Sequence, residues 1–358
     1  MKIAMLCHFT PPVHGAAMVG DLVFRTLKQS HSVHARRLSK TSSLNGIGQV
    51  GISGYMHLLI HFFWLFSQIA IRRSSLIYFT PAMDGSGWYR DAVLITWSKV
   101  IRFLSFNKCR VVLHIHMRPK AGRTKHWAWR SVSKNVELIL LSPSLLSDFE
   151  YLADNTKVHI LPNCVPPAEE NVDSKRQPGM LLYLGHISKA KGIYFLLDSL
   201  ISAMETDSKL KAYSLKVPLS LILTGTLLVS KDEILAKINK LQTLGIACEL
   251  KGPVYGVEKY ALFNRASVFV HASFSEALPL TILEAYSVGL PVVVRRVGGM
   301  KDIVMPVTGV FFDNELELVS GVLSVLSNIY DRGTIQSVYR NNYSPDYFSK
   351  NLLKIIGS

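Results

Sequence analysis

The sequence predicts an α/β protein made of two doubly wound, Rossmann-like domains. Its 358 residues correspond to roughly two domains of ordinary size. Short runs rich in Val, Ile and Leu alternate with longer amphipathic stretches, which is the pattern of parallel strands buried on both faces by helices. A proline-rich segment separates two series of such repeats. We therefore expect two domains that face each other across a cleft.

Twelve apolar runs have the length and composition of buried strands. The first series is predicted at residues 2–9, 32–37, 75–79, 110–116, 136–141 and 157–161. The second series is predicted at residues 180–184, 218–224, 246–251, 267–271, 291–295 and 309–312.

The segment 162–179 contains four prolines and many polar turn residues, so it is predicted to link the domains. The predicted organisation is an N-terminal Rossmann-like domain at 1–165, a C-terminal Rossmann-like domain at 166–335 and a C-terminal helical segment at 336–358. We expect that segment to pack back toward the N-terminal domain. Ser344 and Pro345 mark a break before its last helix.

The net charge of +15 is distributed unevenly. Residues 1–165 hold 20 Lys and Arg against 7 Asp and Glu, whereas residues 166–358 hold 20 against 18. A domain with a net charge of +13 is typical of contact with an anionic surface, either nucleic acid or the acidic leaflet of a membrane. A solvated basic face without a partner is the alternative.

Residues 55–71 form a nearly uncharged stretch at the lower length limit of a membrane span. His57, His61, Gln68 and Arg72 would share one face of a helix there. This pattern favours a helix that does not cross a bilayer. A structural helix packed on the sheet is favoured over a helix lying in a membrane surface.

The four cysteines are widely spaced and form no C-x-x-C pair. No secretory leader precedes the run 2–9. We therefore expect a reduced cytoplasmic protein without structural zinc.

Two loops that follow predicted strands carry glycines that let backbone approach a ligand. In parallel sheets, ligands collect at the carboxyl ends of strands. The loop T-P-P-V-H-G-A-A places Gly15 at a helix start, where turn geometry alone is the competing explanation. The loop from Gly185 to Gly192 places Lys191 just before a helix, where it could bind a diphosphate or be a solvated surface charge.

The segment S-E-A-L-P-L-T-I-L-E-A carries the strongest signal. Pro279 opens a helix whose free amides at Leu280 and Thr281 suit a phosphate. Glu276 precedes that helix and Glu284 lies on it in apolar surroundings, where an unpartnered carboxylate would be costly.

These motifs resemble family 4 of the retaining glycosyltransferases, which have the GT-B fold. Glu276 and Glu284 reproduce the family's two glutamates separated by seven residues, within a matching E-x-x-P-x-x-x-x-E-A-x-x-x-G-x-P-V-V frame. Further matching motifs follow in the family's order over most of the chain. They are P-P-x-x-G at 11–15, L-P-N at 161–163, G-x-x-x-x-x-K-G at 185–192, and V-G-G at 297–299 followed by T-G at 308–309.

The resemblance implies that the domain at 1–165 binds the acceptor and the domain at 166–335 binds the nucleotide-sugar. It also implies roles for individual residues of the nucleotide-sugar site. It assigns the donor diphosphate to Lys191, with backbone groups near Gly15, Leu280 and Thr281. It assigns the ribose hydroxyls to Glu284 and the donor sugar to Glu276, and places the nucleobase beside Gly252 and Val254. The chain departs from the family at His186, where an arginine is usual. Either His186 makes a weaker contact with phosphate or another cation such as Lys189 replaces it.

By the same resemblance, His116 at the end of the strand 110–116 would lie near the transferred sugar. His114 shares its strand face and is expected to have a core role. No third metal ligand is fixed by spacing and no D-x-D triplet occurs, so we expect no metal and no cofactor besides the nucleotide-sugar. His116, Glu276 and Lys191 are the predicted catalytic residues.

The predicted function is retaining, metal-independent transfer of a sugar, with a UDP-sugar favoured as donor. The expected acceptor is a lipid-linked saccharide in bacterial surface polysaccharide synthesis. The expected location is the inner face of the cell membrane, contacted by the 55–71 helix and by Arg118, Lys120, Arg123, Lys125 and Arg130. The alternatives are a non-catalytic nucleotide-sugar-binding homologue and a basic nucleic-acid-binding protein. The latter is disfavoured because no nucleic-acid-binding module is recognisable.

Overall fold

A computed structural model describes residues 1–11, 15–38, 52–119, 127–149, 152, 156–168, 175–206 and 209–357. The polypeptide divides into two compact units. Unit 1 comprises Met1–Asn163 and Phe348–Ser358, and unit 2 comprises Cys164–Tyr347. The chain thus leaves unit 1 two residues before the predicted boundary and re-enters it within the predicted segment 336–358.

Unit 1 contains a six-stranded parallel sheet in the order β2-β1-β3-β4-β5-β6. Its strands are β1 (Lys2–Cys7), β2 (Ser32–Arg37), β3 (Leu76–Phe79), β4 (Arg110–Ile115), β5 (Glu137–Leu140) and β6 (Lys157–Ile160). Its helices are α1 (Gly15–Lys28), α2 (Ile52–Phe66), α3 (Gly85–Leu104) and α4 (Trp127–Ser133), with a π-helical turn at Ser67–Ile71 and a 3₁₀ segment at Pro143–Phe149.

Unit 2 contains a second six-stranded parallel sheet, in the order β12-β11-β10-β7-β8-β9. Its strands are β7 (Met180–Leu184), β8 (Ser220–Thr224), β9 (Ala247–Lys251), β10 (Val268–His271), β11 (Val292–Arg295) and β12 (Gly309–Phe312). Its helices are α5 (Ile193–Glu205), α6 (Lys209–Ser214), α7 (Lys231–Thr243), α8 (Gly256–Arg265), α9 (Leu280–Ser287), α10 (Met300–Ile303), α11 (Glu315–Ser327) and α12 (Arg332–Tyr343).

The two doubly wound sheets confirm the predicted fold class, and all twelve predicted strands are present with ends that differ by at most two residues. The reason is visible in the burial pattern. The central strands β3, β10 and β11 are buried along their whole length, whereas the edge strands β2 and β6 alternate between partly buried and exposed residues. Strands covered on both faces must be continuously apolar, which makes them easy to recognise in sequence.

The strand order locates where each sheet can bind a ligand. In unit 1 the connections change direction between β1 and β3, and in unit 2 between β7 and β10. Open parallel sheets bind ligands at such switch points, outside the carboxyl ends of the strands. The loops that follow β7 and β10 are the two that contain Lys191 and Glu276.

The last helix, α13 (Pro345–Gly357), begins at the predicted Pro345. The guanidinium of Arg110 fastens its end to unit 1 by donating to the carbonyls of Ile355 and Ile356 at 2.9 and 2.7 Å. The same guanidinium forms a two-pronged ion pair with Glu137 at 2.6 and 2.8 Å. Because helix carbonyls at a C-terminus lack intrahelical partners, a cation there is stabilising.

The predicted 55–71 helix is interrupted, since α2 ends at Phe66 and a π-helical turn continues to Ile71. Its polar residues His61 and Gln68 are buried. Within the parts of the chain that the structure describes, no helix is long and apolar enough to cross a membrane.

Gly192 lets the loops after β7 and β10 approach each other. Its φ is +73°, and a Cβ at this position would lie 2.1 Å from the carbonyl oxygen of Ala272. The Phe274 amide donates to the Ala190 carbonyl at 3.0 Å in the same contact. Any side chain at residue 192 would push these loops apart.

We predict that Gly192→Ala lowers the free energy of unfolding by about 2 kcal/mol or more, because it combines a positive φ with a backbone clash. Gly245→Ala is the matched control: its φ is +94° but no atom lies within 4 Å of the added Cβ. That variant should lose only about 1 kcal/mol. Urea denaturation measures both, and equal losses would contradict the steric argument.

Candidate functional site

The loop after β7 is held by backbone hydrogen bonds to the end of β8 and the loop that follows it. The amides of Gly185 and Ile187 donate to the carbonyls of Thr224 and Thr226 at 3.0 and 2.9 Å. The Tyr183 hydroxyl donates to the His186 carbonyl at 2.8 Å, and the side chain of His186 is exposed.

Lys191 and Glu276, two of the predicted catalytic residues, are brought together. The Lys191 Nζ lies 2.5 Å from Glu276 Oε1, and His271 Nε2 lies 3.1 Å from the same oxygen. The Glu276 side chain is 11% exposed and that of Lys191 is 31% exposed. The ammonium therefore has one side on a buried carboxylate and another open to a ligand.

The charge state of Glu276 follows from these contacts. Burial would by itself raise the pKa of this carboxyl. The hydrogen bond and charge of His271, together with the Lys191 ammonium, outweigh burial and lower the pKa to about 2. Glu276 is thus ionised at neutral pH and can accept hydrogen bonds from sugar hydroxyls.

The start of α9 offers hydrogen-bond donors. The residue before the helix is Pro279, which provides no side-chain cap. The amides of the first turn, which includes Leu280 and Thr281, therefore have no intrahelical acceptor. The Thr281 Oγ1 is buried and has no hydrogen-bond partner. Free amides and a free hydroxyl at a helix N-terminus suit an anion such as phosphate.

Glu284 lies near the middle of α9 and its side chain is only 7% exposed. A carboxylate this deeply buried is costly without a partner. The structure supplies Lys259 of α8, whose Nζ lies 2.7 Å from Glu284 Oε1. Burial raises the pKa of Glu284 above its ordinary value, and the Lys259 ammonium opposes that rise.

Gly252 and Val254 lie in the loop between β9 and α8, where Gly252 is exposed and Val254 is buried. The Thr224 hydroxyl donates to the Gly252 carbonyl at 2.7 Å and so fixes this loop against the end of β8. Lys189 is the alternative cation for the position that an arginine usually takes. Its side chain is exposed, and its ammonium lies 5.8 Å from the ring centroid of Tyr194.

In unit 1, Gly15 is the first residue of α1 and His116 directly follows β4. The ring of His116 lies 4.0 Å from that of His114, measured between centroids. His114 is buried, and its Nδ1 lies 2.6 Å from the Tyr78 hydroxyl. Burial and the neighbouring His116 lower the pKa of His114 well below its ordinary value. Pro12, Val13 and His14 of the Gly15 loop lie outside the described residues.

Over the described ranges, no group of three or more His, Cys, Asp or Glu side chains is arranged to hold a metal ion. The four cysteines are buried and unpaired.

Sequence reasoning missed three residues of this site. His271 ends a predicted strand, so its place at the carboxyl edge was available as a signal. Lys259 gave no signal, because it is 25 residues from Glu284 along the chain. Arg295 is the last residue of β11 and contacts the loop that carries Glu276. Its guanidinium lies 4.1 and 4.2 Å from the ring centroids of Phe195 and Phe274, and donates to the Ala272 carbonyl at 3.3 Å.

A family model described as glycosyl transferases group 1 matches residues 178–328. These residues include both loops, α8 and α9. The matched segment makes up most of unit 2 and is similar to glycosyl transferases group 1. The match is to group 1 as a whole, so membership of family 4 stays a prediction.

Two curated relatives are similar to parts of this chain. D-inositol 3-phosphate glycosyltransferase of Pseudarthrobacter chlorophenolicus is 32% identical over 120 residues, which are 34% of this chain and 27% of the relative. Sulfoquinovosyl transferase SQD2 of Arabidopsis thaliana is 43% identical over 67 residues, which are 19% of this chain and 13% of the relative. The chain thus matches about a quarter and an eighth of the lengths of these relatives.

Solved structures resemble the chain over its whole length. The lipopolysaccharide outer core galactosyltransferase WaaB in its apo form has a TM-score of 0.70 at 15% identity, covering 100% of this chain and 99% of WaaB. HepE of Anabaena in complex with UDP-glucose has a TM-score of 0.67 at 14% identity, with the same coverages. This likeness establishes that the chain has the GT-B fold.

We predict an acid-dependent loss of stability from Glu276. Because its folded pKa of about 2 lies below its ordinary value of 4.5, the ionised form stabilises the folded state above about pH 4.5, and this contribution is lost as the pH falls toward 2. Glu276→Gln should therefore cost on the order of 3 kcal/mol at pH 7, and the difference from the wild type should shrink between pH 4.5 and 2.

Urea denaturation over this pH range measures the effect. Glu205→Gln is the control, because the Glu205–Lys240 pair has both side chains about half exposed. Such a pair contributes about 0 to 1 kcal/mol. A Glu276→Gln difference that does not vary with pH would contradict the assignment.

Proposed function

We propose that the protein is a retaining glycosyltransferase that moves a sugar from a nucleotide-sugar, preferably a UDP-sugar, to a saccharide acceptor. The observation that carries this proposal is the ion pair between Lys191 and Glu276 at the switch point of unit 2, with Glu276 four residues before the first turn of α9. These residues lie in the segment that matches glycosyl transferases group 1. A partly exposed cation, an ionised carboxylate and unbonded amides are groups that suit a sugar diphosphate.

The proposed reaction exchanges one bond at the anomeric carbon of the donor sugar. The bond from that carbon to the diphosphate oxygen breaks, and a bond to the acceptor oxygen forms on the same face. The acceptor's hydroxyl proton passes to the departing phosphate oxygen, so no protein nucleophile is needed. Lys191 and the α9 amides stabilise the negative charge that develops on the diphosphate.

Each remaining residue has a positioning role in this proposal. Glu276 accepts hydrogen bonds from the donor sugar and orients Lys191 through their ion pair. Glu284 accepts the ribose hydroxyls, and the base lies beside Gly252 and Val254. His116 lies near the transferred sugar. His186 is exposed and is available for a phosphate contact.

Two considerations support a UDP-sugar and metal independence. HepE, which shares the fold, was solved with UDP-glucose and with UDP. The chain offers Lys191 and helix-start amides to balance the diphosphate charge, and its sequence contains no D-x-D triplet.

We further propose that the acceptor is a lipid-linked saccharide at an anionic membrane surface, in synthesis of a bacterial surface polysaccharide. The charge distribution supports this. Unit 1 holds 22 Lys and Arg against 7 Asp and Glu, a net +15, whereas unit 2 holds 18 of each. Each cation close to an anionic leaflet contributes on the order of 1 kcal/mol.

The basic residues between Arg118 and Arg130 give weaker support for a membrane contact. Lys120, Arg123 and Lys125 lie outside the described residues. Arg118 forms a two-pronged ion pair with Asp148 at 2.6 and 2.7 Å, which neutralises its charge, and Arg130 is exposed.

The outer surface of α2 supports a lipid contact more strongly, because the exposed side chains that the structure describes on this helix are all apolar. Phe63 is 73% exposed, whereas the polar His61 is buried together with Leu65. The exposed apolar side chains of α2 are Met56, Leu59, Ile60, Phe63 and Phe66. A helix of a soluble protein normally turns its apolar stripe inward.

The neighbouring helix α3 also exposes several apolar side chains. Phe62 of α2 stacks on Trp97 of α3 with centroids 5.1 Å apart, so the two helices lie side by side. The charged residues of α3 are at most partly exposed and are engaged with other groups. Its exposed side chains are Ser86, Tyr89, Val93, Thr96, Val100, Phe103 and Leu104. Apolar side chains on adjoining helices of a basic unit fit the interface of an anionic bilayer.

We predict that the protein uses a UDP-sugar in preference to GDP- and ADP-sugars, and that Lys191→Met lowers donor hydrolysis or transfer roughly tenfold to over a hundredfold. Loss of a charge-assisted hydrogen bond of about 1.5–3 kcal/mol gives this range. Lys231→Met, which removes an exposed cation of α7, is the control and should leave the rate unchanged.

Activity should persist in excess EDTA, and NMR of the product should show the donor's anomeric configuration. Loss restored by manganese would overturn the metal-free proposal, and an inverted product would overturn retention. Binding of nucleotide-sugars without turnover would instead favour the non-catalytic homologue.

We also predict binding to anionic vesicles that weakens as salt rises from about 0.05 to about 0.5 M, since the screening length shrinks about threefold. Phe63→Ser with Phe103→Ser should reduce co-sedimentation at least about tenfold, because each Phe loses about 1.5–3 kcal/mol of burial. The control is Leu215→Ser with Leu316→Ser, which changes equally exposed leucines of unit 2. Equal, negligible association with neutral and anionic vesicles at low salt would contradict the membrane proposal.

A further inference from the structure

Lys259 is the residue of α8 that contacts the proposed ribose-binding carboxylate. Its Nζ lies 2.7 Å from Glu284 Oε1, and the two side chains are 18% and 7% exposed. The ring centroid of Tyr260 lies 5.1 Å from the same ammonium and covers another side of it. The pair is thus largely removed from water.

The position of Lys259 in the fold places it at the donor site. It lies in the first turn of α8, five residues beyond Val254, where the base is proposed to bind. The nearby Lys251 is directed elsewhere, since its ammonium lies 3.6 and 3.7 Å from Glu249 and Glu258.

A buried carboxylate with a cationic partner behaves differently from one without. Burial raises the pKa of Glu284, and Lys259 opposes this rise. Removal of one member of a buried ion pair leaves the charge of the other member uncompensated. A buried carboxylate in that position becomes neutral by taking up a proton. An ionised carboxylate has about four acceptor positions, so Glu284 can hold Lys259 and still accept two hydroxyl protons.

We propose that Lys259 is a specificity-determining residue of the donor site: by holding Glu284 ionised and in place, it makes binding depend on both ribose hydroxyls, and so selects ribonucleoside over deoxyribonucleoside diphosphates. This inference rests on the proposed function, because it assumes that Glu284 contacts the donor ribose. Without Lys259, a protonated Glu284 accepts fewer hydrogen bonds, and the missing 2′-hydroxyl of a deoxyribose matters less.

The test measures the affinities of UDP and 2′-deoxyuridine diphosphate by calorimetry, with the GDP and ADP pairs run alongside. The wild type should bind the ribonucleotide at least about tenfold more tightly than its deoxy counterpart. Lys259→Met should bind UDP about tenfold more weakly, with a preference of threefold or less. Lys259→Arg keeps the charge and should restore most of the preference.

Controls separate a role through Glu284 from a general effect on the fold. Lys240→Met removes a cation from an equally short but half-exposed pair, 2.7 Å from Glu205, and should match the wild type. In a Glu284→Gln background, Lys259→Met should change the preference no further. Lys259→Gln removes the charge but keeps a donor, and replaces Lys259→Met if that variant does not fold.

The outcomes distinguish this inference from the proposed function. A folded Lys259→Met protein that keeps the wild-type preference would overturn the role of Lys259 while leaving nucleotide binding intact. A wild type that binds no nucleoside diphosphate would overturn the proposed function itself, and this inference with it.

Discussion

The ion pair between Lys191 and Glu276 organises the candidate site, because it joins the two loops on either side of the switch point of unit 2. The pair forms only if the loop after β7 comes within hydrogen-bonding distance of the loop after β10. Gly192 permits that approach, and Arg295 donates a hydrogen bond to the Ala272 carbonyl at the start of the second loop. His271 adds a second contact to the carboxylate, so the cost of burying Glu276 is offset within the site.

A second pair, between Glu284 of α9 and Lys259 of α8, repeats this arrangement. Glu284 is more deeply buried than Glu276, and Lys259 is more deeply buried than Lys191, which is the most exposed of the four side chains. Unit 2 has equal numbers of basic and acidic residues and so no net charge, whereas the excess of cations lies on unit 1. This division is consistent with one unit that reads a small anionic ligand at a defined point and another that meets an extended anionic surface.

Sequence alone predicted much of the candidate site as well as the strands. Lys191, Glu276, Leu280, Thr281 and Glu284 were identified from glycine, proline and acidic residues at the ends of predicted strands, and the structure places them around α9 and the loop beside it. The sequence did not predict that a lysine of α8 would partner Glu284. It placed His61 and Gln68 on one polar face of the 55–71 helix but did not predict that the structure would bury both of them.

The sequence by itself determined the two parallel sheets, the position of the candidate ligand-binding edge and the excess of positive charge, since buried parallel strands and their loop residues leave local patterns. Only the tertiary structure decided which side chains are partners and which side of α2 is exposed. These features depend on contacts between residues far apart along the chain. Such contacts are set by how helices pack on the sheets, which no local pattern specifies.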